Sequence, residues 1–95
     1  MDWVFTEDRP IWQQLMEQIT LLILNGDYPP GSRLPAVREL AAQAGVNPNT
    51  MQRAMAQLEQ KGLAGGSRTA GRTVTEDTAV IQAARRERAK AAVTS

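Results

Sequence analysis

The sequence predicts a mainly α-helical domain with one small β-hairpin, and three observations carry that prediction. First, 42% of the 95 residues are apolar but only two are Trp, one Tyr and one Phe. Such a core is built of Leu, Ile, Val, Met and Ala packed between helices. Second, several segments repeat apolar residues at helical spacing. Third, a single stretch rich in Gly and small residues, Leu63 to Thr75, separates two weakly β-like pieces. The length suits one small domain.

Each element follows from local signals. Pro10 stands at the first position of helix 1, where its missing N–H costs nothing, and Ile11, Leu15, Ile19, Leu22 and Ile23 then recur at helical spacing to about Leu24. Asn25-Gly26 closes that helix, and Tyr28-Pro29-Pro30-Gly31 makes a rigid turn. After Pro35, a short helix 2 fits Ala36 to Ala44, with Val37, Leu40, Ala41 and Ala44 on one face and Gly45 just past its end. Asn47 caps helix 3, Pro48 takes its first position, Met51, Ala54, Met55 and Leu58 form its apolar stripe, and Gly62 ends it.

Two helices joined by a short Gly-containing turn, with polar residues crowding the start of the second, form a helix-turn-helix signature. The hairpin at 63–75 is then the wing of a winged helix, its first strand weakened by Gly65 and Gly66. Asp77 or Thr78 caps a last helix from about Ala79 to Val93, whose apolar stripe of Val80, Ile81, Ala84, Ala91 and Ala92 is thin. Such a helix is marginal alone and needs a surface to dock on. The expected architecture is a winged helix-turn-helix domain over 1–75 followed by a C-terminal helical extension over 76–95, a candidate dimerisation element.

Composition narrows the function. Without Cys or His, disulfides, thiolate sites and the usual zinc constellations are excluded. No metal or cofactor is expected. Neither a phosphate loop nor carboxylates with reason to share a pocket can be found, so no enzyme is expected. No apolar run long enough to span a membrane exists and Met1-Asp2-Trp3 opens no signal peptide, so a cytoplasmic protein is expected. Net charge is only +1, but its distribution is polarised. Residues 1–30 carry −4, whereas 31–75 carry +4 through Arg33, Arg38, Arg53, Lys61, Arg68 and Arg72 against Glu39 and Glu59. One face therefore suits an anion.

With these residues in view, "NGDYPPGSRLPAVRELAAQAGVNPNTMQRAMAQLEQKGL", residues 25–63, resembles the DNA-binding domain of the GntR family of bacterial transcription regulators. Val46-Asn47-Pro48-Asn49-Thr50 followed by Gln52-Arg53-Ala54, with "RPIWQQL" at 9–15, is similar to the YtrA-type subfamily. The resemblance covers roughly residues 3–75. It implies a winged helix, a homodimer and a palindromic operator of double-stranded DNA. It also implies that Arg38 reaches the DNA, with Asn47, Asn49, Thr50 and Gln52 at the reading end of helix 3 and Arg53 beside them. Two departures stand out. Many members have arginines where this chain has Pro48 and Gln52, and the wing often carries Arg-Gly-x-Gly where this chain has Arg68-Thr69-Ala70-Gly71. The first departure fits the YtrA-type pattern. Members of that type carry only a short dimerising extension, and here about 20 residues follow the wing, so the chain is either truncated or has a small dimer interface.

The residue chemistry agrees with a DNA-facing helix. The start of helix 3 is expected to offer unpaired N–H groups and a partial positive charge to a phosphate. Asn49 and Gln52 can each present a donor and an acceptor to adenine, whereas Arg favours guanine. Arg33, Arg68 and Arg72 can meet phosphates, which position a protein without specifying sequence, or simply face solvent. Met16, Met51 and Met55 read as core, and Trp3, Phe5 and Trp12 as a cover for one end of the bundle. The arginine-rich stretch at 84–90 reads as a solvated face, or else as a DNA or dimer contact. The resulting expectation is a sequence-specific transcription regulator, a repressor acting as a homodimer, with no effector named by the sequence. The alternative is a winged-helix protein-interaction module without DNA binding, which the low net charge and the missing wing glycine would favour.

Overall fold

The computed structural model describes residues 3–67 and 71–94. In chain order the elements are α1 (Ile11–Leu24), α2 (Val37–Ala44), α3 (Pro48–Gln60), β1 (Ala64–Ser67), β2 (Gly71–Val74) and α4 (Thr78–Thr94). The expected helices are all present. Helices 1 and 2 begin one residue later than their sequence signals suggest, because Pro10 and Ala36 keep extended ψ angles and serve as caps. Helix α4 begins one residue earlier, after Asp77 Oδ1 accepts the Ala79 N–H at 2.9 Å.

The core lies where α1 and α3 cross. Leu15, Ile19 and Ile23 of α1 meet Met51, Ala54, Met55 and Leu58 of α3, and Leu40 and Ala41 of α2 close the third side. Leu15, Ile19, Leu40, Met51, Met55 and Leu58 are completely buried. These are the apolar stripes that the 3.6-residue period places on single faces.

The turn between α2 and α3 is set by Gly45. Its φ of +70° is left-handed, which a residue without Cβ adopts at little cost. From there Gly45 N–H donates to Ala42 O at 3.3 Å and Val46 N–H to Ala41 O at 3.0 Å. This pair of bonds is a Schellman ending, and it satisfies carbonyls that α2 would otherwise leave open. Only Gly45, Val46 and Asn47 separate the two helices.

The wing is antiparallel, with Ala64 opposite Val74, Gly65 opposite Thr73, Gly66 opposite Arg72 and Ser67 opposite Gly71. The two glycines do not prevent β1 from pairing. Part of the reason is a third edge that the sequence did not suggest: residues 31–34 run along the far side of β2. Gly31 N–H donates to Val74 O, Val74 N–H to Ser32 O and Leu34 N–H to Arg72 O, each at 2.9 Å. Strand β2 is therefore central, and Leu34, Leu63 and Val74 pin the base of the wing to the core. Arg68 lies outside the described residues.

Helix α4 touches the rest of the chain thinly. Ile81 is buried, and Val80 and Ala84 are half-buried against the core. Arg85 donates to Leu24 O at the end of α1 across 3.4 Å, and Lys61 approaches Glu87 at 3.9 Å. Ala91 and Ala92, the rest of its expected stripe, lie outside the described side chains. At the other end, two amides of α1 hold the chain that precedes it. Gln14 Nε2 donates to Thr6 O and Arg9 O while its Oε1 accepts the Thr6 N–H, and Gln18 Nε2 donates to Val4 O. Gln14 is buried, and these bonds are what make its burial affordable. No helix among the described residues is long and apolar enough to cross a membrane.

Candidate nucleic-acid interface

Helix α3 divides its residues cleanly by depth. Met51, Ala54, Met55 and Leu58 are buried, while Asn47, Pro48, Asn49, Gln52, Arg53 and Ala56 are exposed and Thr50 is half-buried. The sequence-expected reading residues are therefore brought together on one open face that begins at the start of the helix. Arg38 is exposed one residue into the preceding helix α2.

Asn47 caps α3 as its residue type suggests, with Oδ1 accepting the Asn49 N–H at 2.8 Å. The same geometry corrects an expectation. Pro48 has no N–H, the Asn49 N–H is held by Asn47 Oδ1, and the N–H groups of Thr50 and Met51 both donate to Asn47 O at 3.0 and 3.1 Å. The start of α3 thus has the Asn49, Thr50 and Met51 amides engaged, which leaves the Asn47 N–H as its one backbone donor without an acceptor among the described residues. It also retains the partial positive charge of the helix dipole. Helix α2 is the opposite case: its Ala36 cap makes no side-chain bond, so the first N–H groups of α2 stay open.

The basic residues of 31–75 differ in what they have available. Arg72 Nε is paired with Glu59 Oε1 at 2.5 Å, so its charge is partly answered within the protein. Arg33 lies along the wing: a side chain at Gly71 would come within 3.2 Å of Arg33 Nε, so Gly71 keeps the space that this guanidinium occupies. Arg33, Arg72, Pro35 and the start of α2 together border a cavity of about 350 Å³ beside the wing. Arg53 has its Cζ 4.5 Å from the centroid of the Trp12 ring, a contact between α3 and α1 that sequence reading did not find. The signal existed only as an arginine and an aromatic on elements 41 residues apart. Among the described residues Arg33, Arg38 and Arg53 form no ion pair. The unbalanced positive charge of the middle third is therefore concentrated at α2, α3 and the wing base.

No group of His, Cys, Asp or Glu able to hold a metal ion occurs among the described residues. The acidic N-terminal third keeps to itself, with Arg9 donating to Glu17 and Thr6 to Asp8. That hydroxyl bond holds the Asp8 carboxyl below its ordinary range.

Comparison with known proteins places this geometry. The family model for bacterial regulatory proteins of the gntR family matches residues 12–74. The HTH-type transcriptional repressor YtrA of Bacillus subtilis is 40% identical over 68 residues, an alignment covering 72% of this chain and 52% of the repressor. The chain thus spans about half the length of that relative. A GntR family transcriptional regulator from Listeria monocytogenes superposes with a TM-score of 0.89 at 37% identity, over 95% of this chain and 79% of that one. The DNA-binding domain of AraR, solved in complex with operator ORX1, superposes with a TM-score of 0.71 at 26% identity, over 79% of this chain and 96% of that one.

Proposed function

The chain belongs to the GntR family of bacterial regulatory proteins as a DNA-binding transcription regulator of the YtrA type, and from that premise we propose that it is a repressor binding a palindromic operator as a homodimer. The observation that carries the reading is the open face of α3: amide-bearing Asn49 and Gln52 stand exposed opposite a completely buried stripe. A helix so anchored can enter a major groove without losing its seat, and its amides match the adenine edge.

Residues 1–75 form the DNA-binding domain in this reading and 76–95 the dimerising extension. Asn49, Gln52 and Thr50 face the bases, and Asn47 starts the helix and stands at their edge. Because the Asn49, Thr50 and Met51 amides of α3 are occupied, phosphates fall mainly to side chains: Arg38 from α2, Arg33 at the wing base, and Arg53 on the flank. Arg72 contributes less because Glu59 answers it, and Arg68 completes the wing's share. Two copies of α3 would sit in successive major grooves, about 34 Å apart. The protein works in the cytoplasm, beside the chromosome. The resemblance to a repressor and to a domain solved on its operator supports DNA binding and repression in this reading.

The test is selection of duplexes from a randomised library, followed by titration of the winning duplex across salt. An inverted repeat bound with two chains per duplex, and log K falling linearly with log salt, is the expected result. Retention of no duplex at low salt would refute it and favour a protein-interaction module.

A further inference from the structure

We propose that Trp12 is a positioning residue for DNA binding: from α1, its indole holds the Arg53 guanidinium at the edge of the α3 reading face, where that cation meets a phosphate. This rests on the DNA-binding reading above and adds to it a residue on a helix that bears no reading residue.

The geometry is specific. Arg53 Cζ stands over the Trp12 ring, 4.5 Å from its centroid, inside the range of about 6 Å in which the ring quadrupole attracts a cation. Trp12 is half-buried and packs against the core cluster that holds its helix neighbours Leu15 and Ile19, so the platform is anchored in the core. Arg53 is exposed, and among the described residues no carboxylate or carbonyl engages it. Arg9, Lys61 and Arg72 show the contrast, since each has a carboxylate partner. Arg53 is a cation on the reading helix that an aromatic ring holds in place while, among the described residues, no carboxylate answers its charge.

Chemistry explains what this arrangement offers. Guanidinium is planar, and its five N–H donors lie in its plane, so contact through the face leaves donors available. Arg53 stands one turn beyond Asn49 and next to Gln52, on the side of the exposed face that leans toward α1. A long side chain held by a ring has less rotamer freedom to lose when DNA captures it, which favours binding without adding a contact. Leu at position 12 would still cover the core. It would not hold the cation.

The experiment measures anisotropy of a labelled duplex, taken from the selection above, with the wild-type chain, Trp12→Leu, Trp12→Phe, Arg53→Gln and the double variant Trp12→Leu/Arg53→Gln. Arg53→Gln should weaken binding and reduce the log K against log salt slope by about one. Trp12→Leu should weaken binding by about two- to fivefold, the factor that a surface cation–π contact can supply. Trp12→Phe, which keeps a weaker ring, should weaken it less. In the Arg53→Gln background, Trp12→Leu should weaken it no further. Full affinity in Trp12→Leu, or the same loss with and without Arg53, would overturn the proposal and leave DNA binding intact. If Trp12→Leu fails to fold, Trp12→Phe with and without Arg53→Gln supplies the same comparison. A wild-type chain that selects no duplex would overturn both readings together.

Discussion

Helices α3 and α4 are of similar length but are held in opposite ways. Helix α3 is held on three sides by α1, α2 and β1, through four residues that solvent does not reach. Among the described residues, helix α4 meets the body through half-buried Val80 and Ala84, with Ile81 buried beside them, a long Arg85 bond to Leu24 O, and one exposed and distant ion pair. Such a pair contributes little. The difference teaches that, among the described residues, the molecule gives far more of its packing to α3 than to α4.

The largest expected effect tests the packed side. Leu58→Ala should lower unfolding free energy by about 2–5 kcal/mol, because it opens a cavity where the surroundings cannot collapse. Ile81→Ala should lower it by less in the same urea titration of the isolated chain. Equal losses at the two positions would break the contrast. Next in size is discrimination at the reading face. Gln52→Ala should narrow the preference for A·T at its position by about 1–3 kcal/mol, read as relative affinities for single-base variants of the selected duplex. A uniform loss on all variants would show that Gln52 reads no base.

Matched caps sharpen the comparison further, since Asn47 and Asp77 accept an N–H in the same manner, at 2.8 and 2.9 Å. Asn47→Ala should cost about 1 kcal/mol in global unfolding, because α3 cannot fray without the core. Asp77→Ala should instead appear as faster amide exchange confined to the start of α4, with the global transition almost unmoved. The smallest expected effect lies outside both helices. Burial, with Asp27 and Glu39 nearby, raises the Tyr28 phenol above its ordinary value near 10. The folded state therefore favours the neutral phenol. Its contribution is complete below the unfolded value and is lost as pH rises through the raised folded one, so stability should fall slightly in alkaline solution. Tyr28→Phe should remove that slope from a pH series of urea midpoints.

What the sequence disclosed follows the same division. Periodicity and capping chemistry are local, so α1, α2, α3 and the Asn47 cap could be placed to within a residue or so. The buried stripe of α3 was legible because Met51, Ala54, Met55 and Leu58 repeat at the helical period on an otherwise polar segment. Features that join distant segments were not legible. The edge at residues 31–34 is too short to alternate, and its pairing with β2 depends on Leu34 and Val74 meeting in the core. Gln14 is polar on a helix, and nothing local announces its burial until the segment before α1 folds back to accept its bonds. Arg53 is expected beside the reading residues, but nothing near it in sequence announces the indole beneath it. The availability of the first α3 amides was misjudged for another reason: Pro48 and the double use of Asn47 act only once the turn has its final geometry.

The closed start of α3 separates two tasks that many helices combine. Asn47 and Pro48 secure the helix with their own atoms, and no side chain at 49, 52 or 53 takes part in that closure. With respect to the helix start, those three positions are consequently free to vary. A library that randomises Asn49, Gln52 and Arg53 while keeping Asn47 and Pro48 should yield mostly folded proteins, differing in which duplex they prefer. In evolutionary terms, the target sequence of such a regulator can drift through single substitutions without a passage through unstable intermediates.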